Sequence, residues 1–303
     1  MKKILFTGGG GAGNIEIWNK LKKKYSLYFA DSNISSIHPD IPRARKISIK
    51  SAKSNFFNHN LSRIVKKKKI DLIVPAVDEE ILKIISDKFL FKKSFLPDLN
   101  FIKNTIDKKI FFDNLKNKKI NYPQTYSSLS SIGKKNFKLL LKPRFGRGSR
   151  NVHVINKISK INSYLDLYDL KLNDVVIQKY IKGTEYTVYV GCNKKKEVER
   201  IFPLKVGIKK GITIKAFYDK NPSIIHFIKK FSKIFKTKNS YNLQLIISNN
   251  KIYPIEINPR ISTTFFMCLQ DNYDPFQNVK NKKKIIINKK KISLSRHWKN
   301  FIK

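Results

Sequence analysis

Cysteine is scarce in this 303-residue sequence, which contains only Cys192 and Cys268. The two residues are far apart and belong to no CxxC pair or Cys/His cluster, so the sequence offers neither a disulfide scaffold nor a zinc site. Long apolar runs are also missing, because lysines interrupt every stretch that approaches the roughly 18 residues of a membrane-spanning helix. The apolar run after the basic start ends at Thr7, too early for the core of a signal peptide. We therefore expect a cytoplasmic protein that does not enter a membrane.

Acidic residues are few as well, with 21 Asp and Glu against 64 Lys and Arg and a formal net charge of +43. Such an excess is typical of proteins that bind nucleic acid or an anionic membrane surface, because it creates a long-range positive field. Lysine, however, far outnumbers arginine, is scattered along the chain and accompanies abundant Ile, Asn, Phe and Tyr, as an AT-rich genome imposes. We attribute the charge mainly to codon bias and expect no nucleic-acid partner, while a basic nucleic-acid-binding protein stays an alternative.

The N-terminal third of the chain alternates buried strands with amphipathic helices. The predicted elements are a strand over 2–7, a helix over 14–24, a strand over 25–30, a helix over 61–69, a strand over 70–75 and a helix over 79–91. We expect the last helix to turn Ile81, Leu82, Ile85 and Phe89 inward. Because the order strand, helix, strand favours parallel pairing, this part predicts an open α/β unit.

After a helix predicted over 108–118, short strands joined by turns dominate the chain. They are expected over 137–142, 151–155, 175–178, 186–192, 197–203, 243–247 and 252–257, with helices near 157–169 and 223–236. In the lysine-rich tail, residues 284–287 and 292–294 have the pattern of a closing hairpin. The second part is therefore predicted to be an antiparallel α+β region, and the 41% apolar composition is sufficient for two domains.

A glycine loop follows the first predicted strand. Gly8, Gly10 and Gly13 satisfy the GxGxxG pattern, and Asp31 ends the next strand about 20 residues on, as in dinucleotide-binding proteins. A nicotinamide-dependent oxidoreductase or epimerase is therefore an alternative, although the YxxxK pair that a short-chain enzyme of this kind needs is absent. The simpler interpretation is a tight turn with close packing, whose following helix N-terminus could receive an anionic group of a substrate.

A basic, glycine-rich turn lies between the strands predicted over 137–142 and 151–155. Its sequence from residue 142 is Lys-Pro-Arg-Phe-Gly-Arg-Gly-Ser-Arg. Glycines let backbone N–H groups approach phosphate oxygens, and Lys142 with the arginines supplies positive charge. We interpret the turn as a phosphate-binding element; the alternative is a solvated hairpin turn.

The strands predicted over 243–247 and 252–257 carry a set of oxygen ligands. If Leu243, Leu245, Ile255 and Ile257 are buried, the period of two places Gln244, Glu256 and Asn258 together on the other face. One carboxylate and two amide oxygens, with room for phosphate and water, suit Mg²⁺ shared with a nucleotide. Arg260 follows and is suited to hold a transferring phosphoryl group. The alternative is an amphipathic hairpin whose polar face meets solvent.

Together these segments resemble the ATP-grasp superfamily, most closely its carbamoyl phosphate synthase-like members, over nearly the whole chain. The most specific motif is Glu-x-Asn-Pro-Arg, which stands here at residues 256–260. The resemblance implies an α/β Rossmann-like (pre-ATP-grasp) domain over residues 1–100, followed by an α+β ATP-grasp domain over residues 101–303. It also implies a mobile lid, over about residues 122–174, that closes over ATP.

The resemblance also implies roles for single residues. The expected nucleotide contacts are Lys108, Lys142, Gly146, Gly148, Ser149, Gln178, Lys179, Ile181 and Glu185. Among them, Gln178 and the backbones of Lys179 and Ile181 are expected to bind adenine, and Glu185 the ribose hydroxyls. The expected Mg²⁺ ligands are Gln244, Glu256 and Asn258, and the expected catalytic residues are Lys142 and Arg260.

Two positions depart from the family pattern. Gln178 stands where glutamate is commoner, which keeps an acceptor for the adenine amino group but removes the charge. Residues 262–264 are Ser-Thr-Thr where the family often has Ser-Gly-Gly, so the pocket for the acyl substrate could differ. A lysine-rich segment with Lys205, Lys209, Lys210 and Lys215 resembles the family's loop beside the triphosphate, and for each lysine a solvated charge is an equal alternative.

The implied function is an ATP-dependent ligase with Mg²⁺ and ATP as cofactors. A substrate carboxylate attacks the γ-phosphate to form an acyl phosphate, and an amine, or less often a thiol, then displaces phosphate. The expected partners are small-molecule carboxylate and amine substrates, with no membrane. Homodimerisation stays open, because many members of the family dimerise.

Overall fold

The computed structural model describes residues 1–133, 138–270, 273–277, 285 and 291–297. The strands in these residues form three sheets of four, six and four strands, which we call the N-terminal, central and lid sheets. No helix in this part of the chain has the length and apolar character that crossing a bilayer requires.

The N-terminal sheet contains β1 (Lys3–Thr7), β2 (Ser26–Asp31), β3 (Lys46–Ser48) and β4 (Leu72–Val74) in the order β3-β2-β1-β4. All of its pairs are parallel, which agrees with the predicted open α/β unit. The helices of this unit are α1 (Asn14–Leu21), α2 (Phe57–Lys68), α3 (Asp78–Ile84) and α4 (Lys88–Lys93). Its designation as a separate Rossmann-like domain over 1–100 stays a prediction.

The helix predicted over 79–91 is wrong, because the structure has two helices, α3 and α4, there. The helix is interrupted before Asp87. The Asp87 side chain accepts a hydrogen bond from the Leu90 N–H at 3.0 Å and so caps the start of α4. Ile81 is buried as expected, but Leu82 and Phe89 are 39% and 37% exposed. The break rotates the second half of the segment, so a single helical face does not describe it.

The central sheet is antiparallel and has the order β13-β12-β9-β10-β11-β14. Its strands are β9 (Thr184–Cys192), β10 (Val198–Lys210), β11 (Ile212–Tyr218), β12 (Asn239–Ser248), β13 (Lys251–Asn258) and β14 (Ser293–Ser295), and α8 (Pro222–Ile234) precedes β12. The lysine-rich segment that we expected to be a loop is the long β10–β11 hairpin. Of the predicted closing hairpin, the first half lies outside the described residues except for Ile285, and the second half forms β14 against β11.

The lid sheet has the order β5-β8-β6-β7 and is also antiparallel. It contains β5 (Thr125–Tyr126), β6 (Leu139–Pro143), β7 (His153–Ile155) and β8 (Val175–Lys179), with α7 (Lys160–Leu167) packed into its core. Two helices precede it, α5 (Leu99–Thr105), which the sequence analysis missed, and α6 (Lys108–Asn117). The sheet coincides with most of the predicted lid; its mobility stays a prediction.

A single hydrophobic core joins the N-terminal sheet to the central sheet. Ile4 and Phe6 of β1 belong to the same buried cluster as Tyr189 and Phe202 of the central sheet. Leu5 points to the opposite face of its sheet, into a second core that the N-terminal unit forms together with Ile102 of α5. Because successive residues of a strand face opposite sides, β1 holds both cores together.

The glycine loop, residues 8–13, packs against the rest of the chain. The Asp31 carboxylate accepts a hydrogen bond from the Gly10 N–H at 2.9 Å, so the acidic residue of the GxGxxG pattern caps the loop itself. A Cβ atom on Gly13 would lie 2.5 Å from the backbone oxygen of Thr263. These contacts agree with the tight-turn interpretation, in which the glycines allow close approach of two segments.

We predict that Gly13→Ala lowers the free energy of unfolding by about 1–3 kcal/mol, the usual cost of overpacking. Gly13 has an ordinary φ of −105°, so the penalty is steric and arises at Thr263. Urea unfolding checks this. The matched control is Gly11→Ala, whose Cβ would lie 3.1 Å from its nearest neighbour, and equal losses in the two variants would contradict the prediction.

Candidate functional site

A cavity of about 290 Å³ lies between the lid sheet and the central sheet. Its walls come from α6, β6, the basic turn at residues 143–151, the β8–β9 connection and the β12–β13 hairpin. Of the predicted site residues, it brings together Lys108, Lys142, Gly146, Ser149, Gln178, Lys179, Ile181, Glu185, Gln244 and Glu256. Gly148, Asn258 and Arg260 do not line it.

Two predicted lysines converge from different elements. Lys142, at the end of β6, donates a hydrogen bond to the Ile255 backbone oxygen at 2.8 Å and lies 4.7 Å from the centre of the Phe112 ring. Lys108, at the start of α6, donates to the Gly146 oxygen at 3.0 Å, and its Nζ is 3.5 Å from Glu256 Oε1. Both side chains are buried, so their positive charges are concentrated in a space from which water is largely removed.

Burial lowers the pKa of Lys142 from its usual 10.5 to about 7. The attraction of Glu256 opposes this change, while the neighbouring charges of Lys108 and Lys209 lower the pKa further. A desolvated ammonium group gains most from an anion placed beside it. The site is therefore electrostatically incomplete without a negatively charged ligand.

The β12–β13 hairpin supplies the carboxylate and one amide. Gln244 and Glu256 are direct partners across the two strands, and a register shift follows them, so that Leu245 pairs with Pro254. Ile255 is the extra residue of this bulge, and it is half-buried, not on the fully buried face that strict alternation predicts. Its carbonyl group is the one that accepts the Lys142 hydrogen bond.

Two of the three expected metal ligands line the cavity. Gln244 and Glu256 line the cavity, whereas Asn258 is buried beyond it and its Oδ1 accepts a hydrogen bond from Arg260 at 3.0 Å. Within the described ranges, no cluster of three or more His, Cys, Asp or Glu residues suits a metal ion. Any cation in this cavity would therefore depend on the Glu256 carboxylate, the Gln244 amide oxygen and oxygens of the bound ligand, as expected for Mg²⁺ on a nucleotide.

Of the four lysines named in the lysine-rich segment, Lys209 is the one that lines the cavity. It lies near the end of β10, pairs with the carboxylate of Glu185 and donates to Gln244 Oε1 at 3.2 Å. It therefore links the expected ribose-binding carboxylate to an expected metal ligand. Sequence alone does not distinguish Lys209 from Lys205, Lys210 and Lys215, because only the strand register turns it toward the cavity.

Arg260 does not line the cavity in this structure, and its expected catalytic role stays a prediction. Its guanidinium forms a buried two-point ion pair with Asp78 of α3, with Nη2 3.1 Å from Asp78 Oδ2. It also donates to the Asn258 side chain at 3.0 Å and to the Ile261 backbone oxygen at 3.1 Å. Because these partners occupy most of its donors and a carboxylate balances its charge, Arg260 fastens the end of β13 to the N-terminal unit.

The end of β8, just before the connection to β9, contains a buried amide. Gln178 is fully buried, and its Nε2 donates to Thr125 Oγ1 at 2.8 Å. Its Oε1 has no hydrogen-bond partner among the described residues, which is costly for a buried acceptor unless a ligand supplies a donor. The Lys179 N–H already donates to the Gln124 oxygen at 2.8 Å, so it is not available to a base.

The basic turn touches both neighbouring units. Gly146, Gly148 and Ser149 have φ angles of 119°, 67° and 55°, conformations that glycine adopts readily. Gly148 faces the tip of the β10–β11 hairpin, where a Cβ atom would lie 3.7 Å from the Gly211 oxygen. Arg147 pairs with Glu79 of α3 at 3.1 Å. The turn therefore covers the cavity and contacts both the central sheet and the N-terminal unit.

These features, two lysines and a carboxylate–amide hairpin beneath a glycine turn, are those of a protein class that binds nucleotides between two sheets. The ATP-grasp domain family matches residues 105–264, which is 160 of the 303 residues, and the chain belongs to this family. The match confirms the predicted family, whose members use ATP and Mg²⁺.

Two curated relatives extend beyond the matched region. The chain is 24% identical to a carbamoyl phosphate synthase large chain of Clostridium acetobutylicum over 305 aligned positions, which cover 87% of this chain and 27% of that protein. It is 27% identical to a D-alanine–D-alanine ligase of Petrotoga mobilis over 254 positions, covering 71% of this chain and 83% of the ligase. The chain thus spans about a quarter of the first relative and most of the second.

Solved structures show the same fold at low identity. An L-amino acid ligase from Bacillus licheniformis has a TM-score of 0.65 and 14% identity, covering 87% of this chain and 68% of that one. N5-carboxyaminoimidazole synthetase from Staphylococcus aureus, solved with ADP, has a TM-score of 0.65 and 17% identity, covering 86% of this chain and 70% of that one. At these identities the likeness establishes the fold alone.

We predict that Lys142→Met stabilises the ligand-free protein most strongly below pH 7. Folded Lys142 releases its proton near pH 7 and unfolded lysine near 10.5, so the Lys142 contribution to the free energy of unfolding rises with pH in this window. The stability advantage of Lys142→Met over the wild type should shrink by more than about 1 kcal/mol between pH 7 and pH 10.5. A tenfold change in proton affinity corresponds to about 1.4 kcal/mol. Urea unfolding across the pH range checks this, and a difference that does not vary with pH would contradict it.

We also predict that Asp78→Asn destabilises the protein by about 3–5 kcal/mol, because it leaves the buried guanidinium of Arg260 without its counter-charge. The double variant Asp78→Leu with Arg260→Met should recover much of this loss, since both charges are then removed. Thermal and urea unfolding measure the effect. If the losses in Asp78→Leu and Arg260→Met, each measured alone, simply add in the double variant, the pair does not have the structural role described.

Proposed function

We propose that this chain is an ATP-dependent ligase that joins a carboxylate to an amine, or to a thiol, through an acyl phosphate. The observation that carries the proposal is the cavity itself, where Lys108, Lys142 and Lys209 surround the Gln244–Glu256 pair beneath a glycine turn. A polyanion with a bound divalent cation complements this arrangement, because it supplies negative charge to the lysines and a positive ion to the carboxylate.

The residues present fit a purine nucleotide and Mg²⁺. The buried Gln178 Oε1 lacks a donor within the described residues, and an exocyclic amino group would provide one. Glu185 lies between the β8–β9 connection and the lysines, where we assign it to the ribose hydroxyls once Lys209 is released. Gln244 and Glu256 would hold Mg²⁺ together with phosphate oxygens, and the bound ion would neutralise charge on the phosphoryl group. Asn258 could join them only by giving up its hydrogen bond from Arg260.

In the first step, a carboxylate oxygen of the acid attacks the γ-phosphorus, the bond to the β-phosphate oxygen breaks and ADP leaves. Lys142, Lys108 and Lys209 stabilise the negative charge that moves from the γ-phosphate to the leaving oxygen. Binding the triphosphate favours the protonated form of Lys142, because an anion then occupies the desolvated space beside it. No nucleophile from the protein is required, and we do not assign Arg260 to charge stabilisation.

In the second step, the amine nitrogen attacks the acyl carbon, phosphate leaves with the bonding electrons, and the nitrogen loses a proton. Water would destroy the acyl phosphate, so the cavity must close during the reaction. We assign closure to the lid at about residues 122–174, because its basic turn touches Glu79 on one side and Gly211 on the other.

We infer that residues 1–100 form the pre-ATP-grasp domain and that the acid binds where they meet residues 101–303. A cytoplasmic location and a homodimer stay predictions.

We predict that Mg-ATP raises the melting temperature of the wild type and that Glu256→Gln loses most of this shift. A ligand at 100 times its Kd stabilises the folded state by about 2.7 kcal/mol, and the variant removes the carboxylate that pairs with Gln244 across the hairpin. Thermal unfolding with Mg-ATP and with Mg²⁺ alone checks this. Glu197→Gln is the matched control, because Glu197 is exposed at the β9–β10 turn.

The catalytic part of the proposal is tested by ADP release. In a screen of carboxylates paired with amines, the wild type should release ADP only when both substrates are present, and Glu256→Gln should release none. A wild type that Mg-ATP does not stabilise, or a Glu256→Gln variant that it stabilises equally, would refute the proposal.

A further inference from the structure

The hydrogen bonds around Gln178 fix which end of its amide faces the cavity. Its Nε2 lies 2.8 Å from Thr125 Oγ1 and 3.4 Å from the Pro123 backbone oxygen. The Pro123 carbonyl can only accept, so the amide atom beside it must be the nitrogen. The oxygen is then the end that is left for a ligand.

Thr125 strengthens this arrangement, because its single hydroxyl proton is already used. Thr125 Oγ1 donates to the Pro123 oxygen at 3.0 Å, so toward Gln178 it can act only as an acceptor. Thr125 and Gln178 are direct partners in the lid sheet, on β5 and β8, which holds the hydroxyl against the amide. The Gln178 oxygen is thereby left buried and without a partner among the described residues.

The orientation matters because an amide, unlike a carboxylate, has one donor end and one acceptor end. With the oxygen toward the cavity, Gln178 accepts from an amino group at position 6 of a purine and opposes a carbonyl oxygen there. Rotated by half a turn, the same side chain would donate to the carbonyl oxygen of guanine and oppose the amino group of adenine. The purine preference of the site therefore depends on what holds the amide.

We propose that Thr125, with the Pro123 carbonyl, is the positioning residue that makes this site select a 6-aminopurine nucleotide over a 6-oxopurine nucleotide. The inference rests on the proposed function, since it assumes that the cavity binds a nucleotide. Base selection then depends on three uncharged groups. The Pro123 carbonyl and the Thr125 hydroxyl orient the Gln178 amide, and the amide oxygen accepts a hydrogen bond from the base.

The test compares dissociation constants of the full chain for Mg-ATP, Mg-GTP and the Mg complex of purine riboside triphosphate, which lacks only the 6-amino group. The variants are Thr125→Val, which removes the hydroxyl at similar size, and Thr125→Ser, which keeps it. Gln178→Leu removes the amide and Gln178→Glu retains an acceptor. Unfolding without nucleotide establishes that each variant is folded.

The wild type should prefer ATP to both other nucleotides by about tenfold to a hundredfold, as expected for a buried acceptor that loses its donor. Thr125→Val should reduce the ATP preference by about twofold to tenfold, the value of one neutral hydrogen bond, and Thr125→Ser should retain it. Gln178→Leu should abolish the distinction between ATP and the purine analogue, whereas Gln178→Glu should keep it.

The outcomes separate the inference from the function on which it rests. A wild type that binds none of the three nucleotides would overturn both. A wild type that binds ATP and GTP equally, or a folded Thr125→Val variant with an unchanged preference for ATP, would overturn the inference and leave the ligase proposal intact. If Thr125→Val does not fold, the preference in Gln178→Leu decides, because a preference equal to that of the wild type excludes reading through Gln178.

Discussion

The arrangement of the site depends on positive charge held out of water. Lys108, Lys142 and Lys209 approach one another around the carboxylates of Glu185 and Glu256. The charges of Lys108 and Lys209 lower the pKa of Lys142, so like charges oppose one another in this space. The lid and central sheets must hold these side chains in place against that repulsion, and the hydrogen bonds to Ile255 and Gly146 anchor two of them. The cost to the folded protein is recovered when an anion binds.

The N-terminal sheet supports this site from outside it. None of its strands lines the cavity, yet α3 reaches the site through two ion pairs, Asp78 with Arg260 and Glu79 with Arg147. The first fixes the end of β13, which carries Glu256 a few residues earlier, and the second holds the basic turn. The N-terminal unit thus positions both the floor and the cover of the cavity.

Local patterns were sufficient to predict the residues that a single hairpin or turn brings together. The period of two placed Gln244 beside Glu256, and the end of a strand placed Lys142 in the cavity. Contacts between distant segments could not be read in this way: Arg260 resembles a phosphate ligand until Asp78, 182 residues earlier, is placed beside it. The signals for α4 and β11 were present, in the capping Asp87 and in the alternation from Ile212, but the surrounding lysines concealed them.

The core that β1 shares with the central sheet has a consequence for synthesis on the ribosome. One face of β1, with Ile4 and Phe6, is covered by Phe265, Phe276 and residues of the central sheet, which are translated more than 180 residues later. Domains generally fold as they emerge, but α1 and its neighbours in the N-terminal unit, including Ile17 and Leu21, form only part of this cluster. Part of this apolar surface therefore stays uncovered on the nascent chain until Phe276 has been made, and during that interval it is open to non-native apolar contacts.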